Sequence, residues 1–313
     1  MNRDSVIYVA GHRGLVGAAL ERALRGRGFE RLVHRTHGEL DLADRRAVDA
    51  FFAAERPEYV FLAAALVGGI VANSTYPADF IRNNLEVQLS VIDAAHRHKA
   101  RKLMFLGSAC IYPKVCPQPI KEEYLLTGPL EPSNAPYAIA KIAGISLCQS
   151  YRRQYGANFV SVMPTNLYGP GDRFDLQNSH VLPAILRRLH EARQSEAPSV
   201  TIWGTGTPRR EFMHVDDLAS ACVHLMEHYD SPEIVNIGTG EDISIADLAR
   251  KIQALVGYEG RLEFDPSKPD GTPLRRLDIS RLLATGWAPT IGLDEGLMQT
   301  YDWYVANLGH LRT

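Results

Sequence analysis

The stretch Val6-Ile7-Tyr8-Val9-Ala10-Gly11-His12-Arg13-Gly14-Leu15-Val16-Gly17 decides the fold. An apolar run of strand length meets glycines spaced by three and opens into a helical pattern, Leu15, Ala18, Ala19, Leu20 and Leu24. Strand, tight turn and helix make the entry to a dinucleotide-binding unit, the helix N-terminus facing a pyrophosphate. Gly11 permits the turn, Gly14 lets backbone approach phosphate, and Gly17 lets helix pack on strand. Downstream, strand patterns alternate with helical ones. Strands are expected near 5–10, 31–35, 58–64, 102–107 and 158–163, with Val235-Asn236-Ile237-Gly238 a later return to the sheet. The fold class is therefore α/β, a doubly wound Rossmann-type parallel sheet with a smaller mixed α/β substrate domain. The dinucleotide domain is assigned to 1–166 plus 211–243. The smaller domain takes 167–210 plus 244–313, with turns such as Pro269-Asp270-Gly271.

Tyr137 and Lys141 stand four apart in Pro136-Tyr137-Ala138-Ile139-Ala140-Lys141, which puts both on one helix face. Ser133 or Asn134 offers an N-cap. A phenol is a poor acid or base at neutral pH, and a fixed ammonium beside it should lower its pKa toward the working range. Leu103-Met104-Phe105-Leu106-Gly107-Ser108-Ala109-Cys110 reads as a buried strand ending in small polar residues. Ligands of open parallel sheets bind outside the carboxyl ends of strands, so Ser108 falls at the site mouth, where its hydroxyl and Tyr137 can meet one substrate oxygen. Cys110, two residues on, can lie near the same substrate. At the end of the second strand an NAD site usually places a carboxylate. Here Arg35-Thr36-His37 follows, with no acid before Glu39, and Arg13 is also basic. That cluster suits a 2′-phosphate, so the expected cofactor is NADP(H). Asp41 is placed by the adenine.

Composition excludes other classes. The 313 residues carry a net charge of −2, which argues against a nucleic-acid surface. The longest apolar run, Tyr59 to Ala72, falls short of the roughly 20 residues a membrane helix needs. The N-terminus enters a strand almost at once, so no signal peptide is read. The 4 cysteines contain no C-x-x-C, and the 11 histidines show no metal-site spacing. No metal is expected, and a reducing cytoplasm fits.

Gly11-His12-Arg13-Gly14, Val67-Gly68-Gly69-Ile70, Tyr76-Pro77-Ala78-Asp79-Phe80, Cys110-Ile111-Tyr112-Pro113-Lys114 and Pro164-Thr165-Asn166-Leu167-Tyr168-Gly169-Pro170 together resemble the GDP-L-fucose synthase family, within the extended short-chain dehydrogenase/reductases. So do Asn178-Ser179-His180, Trp203-Gly204-Thr205-Gly206-Thr207-Pro208, Arg210-Glu211-Phe212 and Ser267-Lys268-Pro269-Asp270-Gly271-Thr272-Pro273. The resemblance runs from about residue 6 to 304. It implies conversion of GDP-4-keto-6-deoxy-D-mannose to GDP-L-fucose, by epimerisation at C3 and C5 and then NADPH reduction at C4. It implies Cys110 and His180 as the epimerising acid/base pair, with Tyr137, Ser108 and Lys141 for reduction. Cofactor contacts are implied at Gly11, Arg13, Gly14, Leu15, Val16, Gly17, Arg35, His37, Asp41, Leu42, Leu106, Gly107, Lys141, Pro164, Asn166, Leu167 and His180. Arg188, Arg210 and Arg275 match family positions for the substrate diphosphate, Trp203 for packing on the nucleotide and Asp270 for hydroxyls. A homodimer through the helices near 78–99 and 136–155 is implied as well.

The chain departs from the family pattern. Ala109 replaces a second serine, Leu66 a lysine and His37 an arginine, and Leu274-Arg275-Arg276-Leu277-Asp278 replaces Arg-Lys-Leu-Leu-Asp. A 4-ketoreductase of another nucleotide-linked 4-keto-6-deoxysugar is the alternative reading, although Cys110 and His180 argue for an epimerase step. A nucleotide-sugar 4-epimerase with resident NAD and a non-catalytic dinucleotide sensor are readings from other classes. Tyr137 and Lys141 argue against the sensor.

Overall fold

The computed structural model describes residues 1–175, 179–268 and 270–311. Asn178 and Pro269, quoted in two motifs above, lie outside them. The first half alternates as read: β1 (Ile7–Ala10), α1 (Leu15–Gly26), β2 (Leu32–Val33), α2 (Arg45–Glu55), β3 (Tyr59–Leu62), α3 (Ile70–Thr75), α4 (Pro77–Arg97), β4 (Lys102–Leu106), α5 (Ala135–Tyr155) and β5 (Phe159–Pro164). The second half is more broken: β6 (Asn166–Tyr168), α6 (Val181–Gln194), β7 (Ser199–Trp203), β8 (Arg209–Arg210), β9 (Phe212–His214), α7 (Val215–His228), β10 (Val235–Ile237), β11 (Ile243–Ser244), α8 (Ile245–Val256), β12 (Arg261–Asp265), β13 (Leu274–Arg275), α9 (Ser280–Leu283) and α10 (Leu293–Ala306).

Six strands form a parallel sheet in the order β10-β5-β4-β3-β1-β2. Side chains alternate between its faces, as the strand period of two requires. Ile7, Val9, Phe61, Met104 and Val160 meet α1 and α7 on one side. Tyr8, Val60, Leu62, Leu103 and Phe105 meet α2, α4 and α5 on the other. Burial on both faces explains why these strands read as unbroken apolar runs. The second strand was read as 31–35 but spans only Leu32–Val33, since it is an edge strand with β1 as its sole partner. The chain leaves β1 toward β2 and returns on β1's other side as β3. The carboxyl ends of β1 and β3 therefore flank a topological switch point, where open α/β sheets bind ligands. Lys102 fastens α7 to this frame: its amine reaches the carbonyls of Leu225, Met226 and Tyr229 at 3.0, 2.8 and 2.7 Å. A cation at a helix C-terminus is favourable.

A third cluster joins α6, α8 and α10 to β7 and β12 through Leu186, Leu189, Val200, Ile202, Leu248, Ile252 and Leu297. From the range assigned to the smaller domain, Leu277, Leu282 and Trp287 pack instead into the main sheet's clusters. The three-stranded sheet β11-β8-β13 draws on separated segments of the second half and brings Arg275 level with Arg210.

Candidate active site

β4 delivers the first group of site residues. Just past its end, Ser108 caps a short 3₁₀ turn, Ala109–Ile111, its Oγ accepting from the Cys110 amide at 3.4 Å. The Ser108 side chain also lies against the Cys110 thiol and the Tyr137 phenol, where it favours the ionised form of each. Tyr137 lies in the first turn of α5, where Pro136 fits because an early helical amide needs no partner. Asn134 holds the N-cap position, yet neither it nor Ser133 caps the helix through its side chain. One turn on, Lys141 is buried and donates to the Leu106 carbonyl at 2.8 Å. Gly144 permits that depth: a Cβ there would stand 2.4 Å from the Phe105 ring and 2.7 Å from Gln88 Oε1. Any side chain at 144 would push α5 off β4 and α4.

Burial sets the protonation states. It pushes the Tyr137 phenol up from its ordinary value, with Cys110 adding and only the Ser108 hydrogen bond opposing. The sequence expectation was the reverse, that Lys141 would draw the phenol down. The Lys141 amine lies 5.8 Å from the Tyr137 ring centre and is engaged with Leu106, and burial lowers its own pKa to about 8. Desolvation dominates, so Tyr137 stays protonated at neutral pH. The Cys110 thiol is likewise raised by burial, against Ser108, Arg275 and Lys141. His180 keeps open surface toward solvent, yet protein surrounds it closely enough that desolvation lowers its pKa. It is the N-cap residue of α6, its carbonyl accepts from the Ala184 amide at 3.1 Å, and its side chain makes no hydrogen bond or ring contact among the described residues.

The residues at the switch point fit a dinucleotide phosphate. Gly11 takes φ +87°, the left-handed turn the sequence called for. Gly14 is the N-cap of α1, with no side chain on the first amides and no acid in the first turn. That helix end is open for an anion. Arg13 and His37 are exposed beside it, while Arg35 packs on Phe51 and pairs with Glu55 at 2.5 Å. His37 stands 3.9 Å from Asp41. His34, not singled out in the sequence, stacks on His12 with ring centres 4.4 Å apart.

The substrate candidates form two further groups. Trp203 is 51 % exposed, with the Arg188 guanidinium 5.3 Å and the Lys268 amine 5.6 Å from its ring centre. Asp270 accepts from the Thr205 amide and hydroxyl, both at 2.7 Å, and its charge favours protonated Arg210. Burial and neighbouring Arg275 nonetheless push Arg210 down to about 10. Arg275 itself donates to the carbonyls of Ala109, Tyr112 and Pro113. Among the described residues no set of His, Cys, Asp or Glu is placed to hold a metal ion, and no helix is long and apolar enough to cross a membrane.

The model of the NAD dependent epimerase/dehydratase family matches residues 7–238. GDP-L-fucose synthase from Escherichia coli strain K12 is 55 % identical, covering 98 % of this chain and 98 % of its own. The chain belongs to this family, on its GDP-L-fucose synthase branch. GDP-L-fucose synthase 1 of Arabidopsis thaliana is 56 % identical over 98 % of this chain and 95 % of its own. Among solved structures, the GDP-mannoheptose C4 reductase of Campylobacter jejuni with NADP bound matches with a TM-score of 0.90 and 41 % identity, covering 97 % and 99 %. NADP(H) is accordingly the cofactor of this family member.

Sequence reasoning missed Glu211 as well as Gly144 and His34. Glu211 is fully buried and accepts from the Thr239 and Gly240 amides at 2.6 and 2.8 Å and from Leu277 at 2.8 Å. It ties the loop after β10 to the segment after β13. Asp172 was also passed over; burial raises its carboxyl to about 7. An isolated acid between glycine and arginine gives no sign in sequence that it will be desolvated.

Proposed function

We propose that this chain converts GDP-4-keto-6-deoxy-D-mannose to GDP-L-fucose, epimerising C3 and C5 and then reducing the C4 ketone. The observation that carries the reading is the placement of Cys110 on the same short turn as Ser108, hydrogen-bonded to it and next to Tyr137 and Lys141. A reductase alone needs Ser108, Tyr137 and Lys141. A thiol built into that group adds a proton donor and acceptor beside the ketone.

A C4 ketone acidifies the protons on C3 and C5. Arg275 and Lys141 favour the Cys110 thiolate against the effect of burial, which makes Cys110 the group that takes a proton. His180, at the N-cap of α6, is the group that delivers one. Inversion requires removal on one face and delivery on the other, and in support Cys110 follows β4 of the main sheet while His180 caps α6 of the smaller lobe. NADPH, when bound at the glycine loop, supplies the hydride. Tyr137 then protonates O4, Ser108 donates a hydrogen bond to the developing oxyanion, and preset donors of this kind are usually a large catalytic term. Lys141 supplies charge beneath them. Arg210 and Arg188 hold the diphosphate, and Trp203 and Asp270 hold the nucleoside.

A homodimer is part of this proposal. Leu89 on α4 and Ile139 and Tyr155 on α5 are 40 %, 48 % and 55 % exposed, on two helices that pack together on one face of the sheet. The free cysteines suit a reducing, cytoplasmic setting. The second reading, a 4-ketoreductase acting on another GDP-sugar, draws on the Campylobacter jejuni reductase and on Leu66, which is 37 % exposed where the family pattern has lysine. Cys110→Ser and His180→Asn separate the two. Deuterium incorporation at C3 and C5 in D₂O should collapse in the first and lose productive inversion in the second, with folding and NADPH binding normal. Epimerisation at wild-type rates in both variants would leave the ketoreductase.

A further inference from the structure

We propose that Arg275 is a positioning residue for Cys110, a guanidinium from the smaller lobe that fixes the catalytic turn and couples it to β13. The inference rests on the epimerase reading above. Nη1 of Arg275 donates to the Ala109 carbonyl at 2.8 Å, and Nη2 donates to the carbonyls of Tyr112 and Pro113 at 3.2 and 3.3 Å. These carbonyls bracket Cys110 in sequence, one before it and two after. A planar fork of fixed donors can hold several acceptors at once, whereas an ammonium is a single flexible point.

Both ends of the link are anchored. The Glu211 amide donates to the Arg275 carbonyl at 3.2 Å, and Glu211 Oε2 accepts from the Leu277 amide at 2.8 Å. Arg276 is held through its carbonyl by the Ile120 amide at 2.7 Å. On the loop side, buried Tyr112 donates its hydroxyl to Asn236 at 2.5 Å. The turn bearing Ser108 and Cys110 is thus clamped between the main sheet and a ledge of the smaller lobe. A side chain that served only to bind diphosphate would keep its terminal nitrogens for the cleft, and here both are on backbone. The charged or titratable groups around the thiol are Lys141, Tyr137 and Arg275, with the Ser108 hydroxyl. Two are cations that offset the effect of burial on the thiol.

The test uses Arg275→Gln, which removes fork and charge, and Arg275→Lys, which keeps the charge and removes the fork. Alkylation of Cys110 by iodoacetamide is followed against pH and read by peptide mass, since trypsin cuts after Lys114 and separates Cys110 from Cys116. The midpoint for Cys110 should rise by about one unit in Arg275→Gln, the effect of a lost neighbouring cation. Solvent exchange at C3 and C5 should fall in kcat by about tenfold or more in both variants, as misplacement of a reacting group does. KM and the dissociation constant for GDP should hold. An unmoved Cys110 midpoint in Arg275→Gln, or a loss residing in KM and GDP affinity, overturns the proposal. If Arg275→Gln does not fold, wild-type exchange kcat in Arg275→Lys overturns it, and a lowered kcat at unchanged GDP affinity supports it. A wild-type chain that turns over no GDP-sugar would sink the function proposed above, while the alkylation midpoint would still decide the role of Arg275.

Discussion

Around Tyr137 the chain hides its reacting groups, and around Trp203 it leaves them open. Lys141 is 4 % exposed and Trp203 51 %. The first region is the end of a parallel sheet against one long helix, where burial is the largest cause that raises a phenol and a thiol and lowers a lysine. The second is assembled from two- to five-residue strands and glycine turns, with cations facing outward over an indole. Shifting a pKa by desolvation needs a rigid, closely packed frame. Capturing a charged, water-soluble nucleotide requires donors that it can reach. Changes in the first region should therefore act on kcat, and changes in the second on KM.

The sharpest way to break that division is Tyr137→Phe. Losing the positioned acid should lower NADPH oxidation on the order of 10²–10⁴-fold, while exchange of the C3 and C5 protons continues. Near-wild-type oxidation would remove Tyr137 from the chemistry. Arg13→Ala tests the cofactor end. One lost charge-assisted hydrogen bond of about 1.5–3 kcal/mol should raise KM for NADPH by about 10–100-fold and leave NADH unaffected. Equal effects on both cofactors would mean that the basic cluster holds no 2′-phosphate.

A pH profile sharpens the same contrast. Lys141 is protonated below about 8 and neutral above it, because burial has lowered its pKa from 10.5. Reduction should therefore fall as pH rises through that value, and Lys141→Arg should carry the limb upward, since guanidinium does not deprotonate. A profile that stays flat through that value would show that the charge is not needed. The smallest effect belongs to the open region. Trp203→Ala removes a partly solvated cation–π platform worth about 0.5–1 kcal/mol, so KM for the nucleotide sugar should rise about 2–5-fold at constant kcat. A drop in kcat instead would tie Trp203 to the buried centre.

The buried region was also the more legible. Its strands are apolar runs covered on both faces, its glycine turn is one short segment, and Tyr137 and Lys141 are a local helical pair. Periodicity reports such features directly. What failed there was a sign: the effect of Lys141 on Tyr137 depends on whether desolvation or charge dominates, and burial depth is a tertiary quantity. Gly144 was invisible for a related reason, since a glycine inside a helix reads as a weak point until the strand beneath it is seen. The open region was legible only through resemblance. Arg188, Trp203, Arg210 and Asp270 come from separated segments, and no local pattern joins them. Arg275 shows the limit best, because its neighbours in sequence point to the diphosphate and its hydrogen bonds point to the Cys110 turn.

The central claim is that one cluster both epimerises and reduces. The direct measurement is incubation of the chain with GDP-4-keto-6-deoxy-D-mannose and NADPH in D₂O, with the product read by NMR. The account predicts GDP-L-fucose carrying deuterium at both C3 and C5. NADPH oxidation that yields a C4-reduced sugar with protium and unchanged configuration at C3 and C5 would contradict it.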